Sequence, residues 1–451
     1  MKRVVITGLG IIAPNGIGSE QFWSNCLEQH CAAEKIPSYW KEFGDYTSNI
    51  WAPLPQFDFT SLGISKTDLL QLDKNSILAL IAANEAFQSA GLKPTLIDEK
   101  YKISKLEEVD SQKCGVFAGT GAGGITSLIE AHSSHVLYKS RERVRKIAEE
   151  VQSNDVRKAL VNTLRFMDSS PRLNPYTASM MMPNAVANIL GIRYSIRGPN
   201  KSICTACSSG ATAIGMAFES IQSGTIDLAL SGGCDYLADD YGGVFKAFDS
   251  TGTLSRASKP SEYVSPFDKN RSGFLFSEGG AGLLVLEELE HALKRNAPII
   301  AEIKDFSESF EAYNMMSMDP GGKTIETILK NLLKNTRPQD IDYINTHGTG
   351  TVINDEVESA KIQEIFGNTV LLNSTKGLTG HTLGASGAIE AAVCALSIRD
   401  QMLHGSPGLT TPIRDVSMVK NTQPSEIDKC INLSFAFGGN LCGMLIEKFK
   451  G

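Results

Sequence analysis

Thr205-Ala206-Cys207-Ser208-Ser209-Gly210 leads into an apolar run with Ala211, Ala213, Ile214, Met216 and Ala217. One cysteine among tiny residues ahead of such a run reads as a turn that opens a helix. A thiol there faces unpaired backbone N–H groups and the positive end of the dipole. Both are expected to lower its pKa and favour the thiolate. The small flanks leave room for a substrate beside the sulfur. Working outward, short apolar runs lie at 4–12, 114–121, 228–233 and 281–286. They recur at 299–303, 341–344, 370–373 and 430–435. Several end in glycine, and they read as strands buried on both faces. Helical patterns at 75–90, 209–222 and 388–401 alternate with them. Strand and helix alternating along the chain predict an α/β architecture with largely parallel sheets.

Two more small-residue motifs stand in the second half. Thr346-His347-Gly348-Thr349-Gly350-Thr351 follows the run 341–344, which places His347 at a strand end, where α/β enzymes put their sites. Lys376 follows the run 370–373 and precedes Gly380-His381-Thr382-Leu383-Gly384-Ala385. An isolated histidine is more often a surface or core residue than a catalyst. Two histidines in glycine-rich turns, with one cysteine and one lysine, make a nucleophile with donors and bases to serve it.

Composition narrows the function classes. A chain of 451 residues needs two domains or one large α/β unit. A net charge of −7 argues against a nucleic-acid partner. No stretch reaches the roughly 18 unbroken apolar residues of a membrane helix. Met1-Lys2-Arg3 looks like a signal-peptide start, but glycines and Pro14 interrupt the apolar run behind it, so a buried first strand is expected. Nine scattered cysteines without framework spacing fit a reducing compartment, and a cytoplasmic location is expected. Cys204 and Cys207 form a C-x-x-C without a second such pair or a spaced histidine pair. No metal site is expected, and Cys204 reads as strand packing. Gly119, Gly121 and Gly124 fit G-x-G-x-x-G, but a long charged helical stretch comes next in place of a second strand. They read as a tight turn where backbones approach closely. The stretch 126–172, with Arg141, Arg143, Arg145 and Lys146, reads as a solvated surface helix or as a docking surface for an acidic partner.

In this order and with these flanks, the three motifs resemble the condensing enzymes of fatty-acid and polyketide synthesis, the β-ketoacyl-acyl-carrier-protein synthase II type in particular. The resemblance extends through Pro266-Phe267-Asp268-Lys269-Asn270-Arg271-Ser272-Gly273-Phe274 and Glu278-Gly279-Gly280-Ala281-Gly282 to Ser434-Phe435-Ala436-Phe437-Gly438-Gly439. It covers almost the whole chain. It implies a thiolase-like fold, with two similar halves in five α-β-α-β-α layers. The N-terminal half, 1–288, would carry the nucleophile, and the C-terminal half, 289–451, both histidines and the lysine.

The implied reaction is a decarboxylative Claisen condensation of a cysteine-bound acyl group with malonyl-acyl-carrier protein. By resemblance, Cys207 carries the acyl chain. His347 and His381 supply preorganised donors to the enolate and acid–base assistance. Lys376 holds the charge pattern, and Glu358 matches the carboxylate that pairs with it. Thr349 and Thr351 match positions that bind the phosphopantetheine arm. Phe437 would gate the acyl pocket, its N–H joining that of Cys207 in an oxyanion hole. No cofactor is implied beyond the carrier's phosphopantetheine. The implied partners are acyl-carrier protein and a second subunit, either an identical copy or a homologous chain-length-factor subunit.

Some residues depart from the elongating type. Asn440-Leu441 follows the gate where Thr-Asn is usual. Together with Ser208-Ser209, Gly350 and Phe310-Glu311-Ala312-Tyr313-Asn314-Met315-Met316, it is similar to catalytic subunits of type II polyketide synthases. The helix before Leu72-Asp73-Lys74 carries only Lys66 as a base, where relatives place several. Two alternatives stand beside this reading. A biosynthetic thiolase would use a second cysteine, for which Cys442-Gly443 is a superficial match. A non-catalytic chain-length partner would lack the cysteine that this chain has.

Overall fold

The structure is a computed structural model and describes residues 1–167, 173–257 and 265–451. Ten strands carry the architecture. They are β1 (Val4–Ala13), β2 (Cys114–Gly119), β3 (Asn200–Ile203), β4 (Leu228–Tyr236) and β5 (Gly279–Glu288). In the second half they are β6 (Ala301–Phe310), β7 (Tyr343–Asn345), β8 (Leu371–Asn373), β9 (Lys429–Phe435) and β10 (Asn440–Glu447). The first five order as β3-β2-β4-β5-β1 and the second five as β8-β7-β9-β10-β6. Order and direction repeat. In each half the outer three strands are parallel, and the fourth in sequence is antiparallel to the fifth, which is antiparallel to the first. β1 and β6 pair antiparallel over Val4–Ile6 and Ala301–Ile303, and this joins the halves.

The expectation of largely parallel sheets is therefore corrected. β5 and β10 return antiparallel, and β10 does so through the short turn at 436–439. A two-sided apolar run reports burial, not direction. Both antiparallel strands are buried along nearly their whole length, as a parallel strand would be.

Eight helices complete the layers: α1 (Lys74–Ser89), α2 (Ile125–Glu150), α3 (Asn154–Met167), α4 (Ala185–Arg193), α5 (Ser209–Gln222), α6 (Lys323–Leu332), α7 (Val352–Phe366) and α8 (Ser386–Asp400). In α5, 10 of 14 residues are buried, and in α8, 13 of 15, so both helices lie inside the molecule. They pack against each other between the two halves of the joined sheet, in one core with Ile6, Leu284, Tyr343 and Ile446. α1 and α4 cover the outer face of the first half. α6 and α7 cover the second. The sequence of layers is α-β-α-β-α.

The charged stretch forms the hairpin α2–α3. Of the 26 residues of α2, only Thr126 and Ala148 are buried, so most of it is a solvated surface element. The end of this stretch, 168–172, lies outside the described residues. Among the described residues no helix is long and apolar enough to cross a membrane.

Candidate active site

Cys207 sits on a 3-10 turn, Ala206–Ser208, that runs into α5. Ala206 takes φ +49, a left-handed conformation that a residue with a Cβ rarely adopts. Ser209 fixes the turn. Its Oγ accepts the Thr205 N–H (2.9 Å) and donates to the Ala206 carbonyl (2.7 Å). The backbone N–H groups of Phe437 and of Cys207 itself are directed at the sulfur, and Lys376 lies within electrostatic reach. These pull the thiol pKa down, yet burial dominates and pushes it up to about 11. The expected low-pKa thiolate is thus corrected: the resting group is a thiol, because full burial outweighs the helix terminus.

β7 ends at Asn345, and His347 lies just beyond it on the predicted turn. Glu358, in the second turn of α7, accepts the N–H groups of His347 (2.7 Å) and Gly348 (2.8 Å). Burial pushes its carboxyl up to about 8 against the pull of those donors. Glu358 therefore holds the histidine turn and is not the partner of Lys376. That partner is Glu390 on α8, whose Oε1 accepts from Lys376 Nζ at 2.5 Å, with both side chains 2% exposed. Glu390 was missed by the sequence reading. Asp355 ties the same loop to the 266–274 motif, accepting from Phe267 N–H (2.8 Å) and Gly350 N–H (3.2 Å) and facing Arg271 Nε at 3.3 Å.

His381 stands just before α8, where Ser386 Oγ lies 2.9 Å from its Nδ1. A hydroxyl proton donated to Nδ1 leaves Nε2 as the N–H end. The imidazoles of His347 and His381 meet edge to face, with centroids 5.6 Å apart. Burial, then the Lys376 charge, holds both far below the usual histidine pKa, so both are neutral near pH 7. Neutral imidazoles can donate to developing negative charge and still accept a proton.

Cys207, His347, His381, Phe437, Thr349 and Thr351 all line one cavity of about 260 Å³. The Thr349 and Thr351 hydroxyls lie 2.8 Å apart. Phe437 belongs to the turn that joins β9 to β10. That turn is held to the loop after β6 by Gly438 N–H to Met315 O (2.9 Å) and Glu311 N–H to Gly439 O (2.7 Å). The structure thus gathers the predicted cysteine, histidines, threonines and gate, with Lys376 buried beneath them.

One other expectation is overturned. Cys204 is exposed at the end of β3, so it does not serve as strand packing. Cys442, the cysteine a thiolase would need, is buried in β10 beside Thr212 Oγ1 (3.8 Å) and does not line the cavity. The glycines at 119–124 form a tight turn. A Cβ at Gly119 would stand 2.4 Å from the backbone of Ser209, so that turn packs directly beneath the start of α5. Among the described residues no group of metal-ligating side chains could hold an ion.

A duplicated five-layer fold with a buried cysteine and two neutral histidines on one cavity defines a thiolase-like condensing enzyme. The model of the β-ketoacyl synthase N-terminal domain matches residues 1–292, and that of the C-terminal domain residues 300–410. The chain is 31% identical to 3-oxoacyl-[acyl-carrier-protein] synthase 2 of Coxiella burnetii, over 97% of this chain and 96% of that one. It is also 31% identical to the synthase of the same name from Rhizobium meliloti, over the full length of both. Among solved structures, a β-ketoacyl synthase from Burkholderia phymatum superposes with a TM-score of 0.81 at 25% identity, and a type II polyketide ketosynthase with its acyl-carrier protein at 0.78 and 26%. Both comparisons cover 100% of each chain. This chain belongs to the β-ketoacyl synthase family.

Proposed function

We propose that this enzyme elongates acyl chains by decarboxylative condensation with a malonyl thioester on an acyl-carrier protein. The supporting observation is the convergence of Cys207, two neutral histidines and the Phe437 N–H on one cavity. In the first step the Cys207 sulfur attacks the acyl thioester, and its proton passes to the departing carrier thiol. The N–H groups of Cys207 and Phe437 stabilise the oxyanion. In the second, the bond from the malonyl methylene carbon to its carboxylate breaks. Carbon dioxide leaves, and the electron pair stays as an enolate that His347 and His381 stabilise by donating N–H. The carbanion then attacks the acyl carbonyl, a carbon–carbon bond forms, and the Cys207 sulfur departs as a thiolate that takes a proton from solvent water. Lys376 contributes positive charge beneath the site, with Glu390 as its counter-ion, and Glu358 holds the His347 turn. Thr349 and Thr351 bind the phosphopantetheine arm. No further cofactor is needed by this chemistry.

In this reading the nucleophile belongs with the strands of 1–288, and the histidines and lysine with those of 289–451. The partner is acyl-carrier protein, with a second subunit beside it. A chain of a solved ketosynthase/chain length factor is similar in fold and 25% identical over the full length of each, which supports a subunit of that kind. The test is intact-mass analysis with acyl-carrier proteins. The wild-type chain is expected to gain the acyl mass, and Cys207→Ala is expected to gain none. His347→Ala and His381→Ala are expected to keep acyl-enzyme formation while carbon dioxide release from malonyl-carrier protein falls on the order of 10²-fold or more, as for loss of an oxyanion donor. A mass shift that persists in Cys207→Ala, or normal release in both histidine variants, would overturn the assignment.

A further inference from the structure

The internal repeat reaches down to the turn that carries the nucleophile. Thr205-Ala206-Cys207-Ser208-Ser209-Gly210 and Thr382-Leu383-Gly384-Ala385-Ser386-Gly387 have the same geometry. Their second residues hold φ at +49 and +48. Each then makes a 3-10 turn, Ala206–Ser208 or Leu383–Ala385, and starts its central helix at Ser209 or Ser386. Gly384 is therefore the counterpart of Cys207. A side chain has no room there, since a Cβ would lie 2.4 Å from Gly121 N and 2.7 Å from Asp235 Oδ2.

The Gly384 N–H corresponds to the Cys207 N–H that points at the sulfur. It donates instead to Asp235 Oδ2 at 2.7 Å. Asp235, near the end of β4, is fully buried and also accepts from Gly121 N–H (2.9 Å), Ala122 N–H (3.1 Å) and Thr120 Oγ1 (2.7 Å). From Thr120 the chain of contacts runs on to the nucleophile, because the Thr120 carbonyl lies 3.1 Å from Ser209 Oγ, the hydroxyl that fixes the Cys207 turn. From Gly384 it runs to the other reacting group, because Ser386 holds the His381 ring. One carboxylate thus clamps the 119–124 turn to the counterpart turn beside His381, and through Thr120 it reaches the nucleophile turn.

We infer that Asp235 is a positioning residue that sets the placement of Cys207 relative to His381 for the carbon–carbon bond-forming step. This rests on the condensing reaction proposed above. The two turns also pack directly on each other, a Cβ at Gly210 falling 2.7 Å from the Gly384 carbonyl oxygen, and this carboxylate adds the hydrogen-bonded tie that links Gly384 to the 119–124 turn beneath Ser209. A misplacement of about 1 Å between reacting groups costs about 10²-fold in rate. Asparagine has the same shape but turns an NH₂ group toward a ring of donors.

The test separates three rates in Asp235→Asn, measured on the full-length protein with acyl- and malonyl-carrier proteins. These are acylation of Cys207 by intact mass, carbon dioxide release in the Cys207→Gln background, and complete condensation. Acylation and release are expected to stay within about tenfold of the parent chain, while condensation falls about 10²-fold. Thr120→Val, which removes one donor to the carboxylate, is expected to show the same selective loss at smaller size, and it carries the test if Asp235→Asn does not fold. A loss shared equally by all three rates, or undiminished condensation, overturns the proposal. A wild-type chain that neither acylates nor releases carbon dioxide overturns the reaction itself and the proposal with it, an outcome distinct from a failure of Asp235 alone.

Discussion

At the scale of single residues, burial decides the chemistry of the site more than local structure does. A helix terminus is worth about 0.3–1 kcal/mol to a charge, less than one pKa unit, whereas full burial moves a pKa by up to roughly 3–5 units. The sequence of Cys207 shows the turn and the small neighbours, so the terminus is legible. The burial comes from Phe274, Phe276, Leu383 and other distant residues in its cluster, so it is not. With the thiol pushed up to about 11, the thiolate fraction near neutral pH is small and grows tenfold for each pH unit. Alkylation of Cys207 by iodoacetamide, followed by mass spectrometry, is therefore expected to accelerate about tenfold per unit from pH 7 to 9 without levelling. A plateau below pH 8 would show a preformed thiolate and contradict the burial argument. Glu390 illustrates a signal that was present but unused. It is a lone charge in the apolar run Ala388-Ile389-Glu390-Ala391-Ala392, and a buried charge needs a partner. Nothing in one sequence says that the partner is Lys376, 14 residues earlier on the facing loop.

At the scale of elements, apolar runs located the strands well where a strand is buried on both faces. The runs at 114–121 and 228–233 became β2 and β4, and the helical pattern at 209–222 became α5. Of the ten, two strands escaped. β3 is mostly exposed, with Asn200, Lys201 and Ser202 open to solvent, so it lacks an apolar pattern. β10 begins directly after the gate, and its glycine-containing sequence Asn440-Leu441-Cys442-Gly443 hides it. The 436–439 turn contributes two separable parts, a ring that packs in the cavity wall and an N–H aimed at the sulfur. Phe437→Ala keeps the donor and removes the ring, so acylation of Cys207 is expected to stay within about tenfold of wild type. Phe437→Pro removes the donor, and its acylation rate is expected to fall on the order of 10²-fold. Rapid-quench mass spectrometry of the acyl-enzyme reads both variants. Equal losses would show that the ring, not the backbone donor, governs the step.

At the scale of the whole molecule, duplication leaves the two ends of the joined sheet unequal. Beyond β8 the second half adds a short strand, Ser417–Met418, paired parallel with it. Beyond β3 the first half adds nothing among the described residues. The carbonyls of Pro199 and Ile203 accept from Val116 and Thr120 N–H, so alternate residues of β3 face β2, and Asn200 and Ser202 turn their backbone groups outward. An open strand edge of this kind is a template for another strand. Beside it lies a cavity of about 530 Å³ lined by Lys201, Ser202, Phe310 and Asn440, with Phe310 61% exposed. A second copy pairing its β3 antiparallel with this one would satisfy the edge and cover that cavity. The protein is therefore expected to be a dimer at micromolar concentration by analytical ultracentrifugation. Ser202→Pro removes an outward N–H without touching the β2 ladder, and the twofold axis makes the loss count twice. Each lost hydrogen bond is worth about 1 kcal/mol, so dimer affinity is expected to weaken by about tenfold or more while the far-ultraviolet circular dichroism stays unchanged. A stable wild-type monomer with full condensing activity would refute pairing through β3. A monomer that dimerises and gains activity only when mixed with a homologous chain-length subunit would instead place that subunit on the same edge.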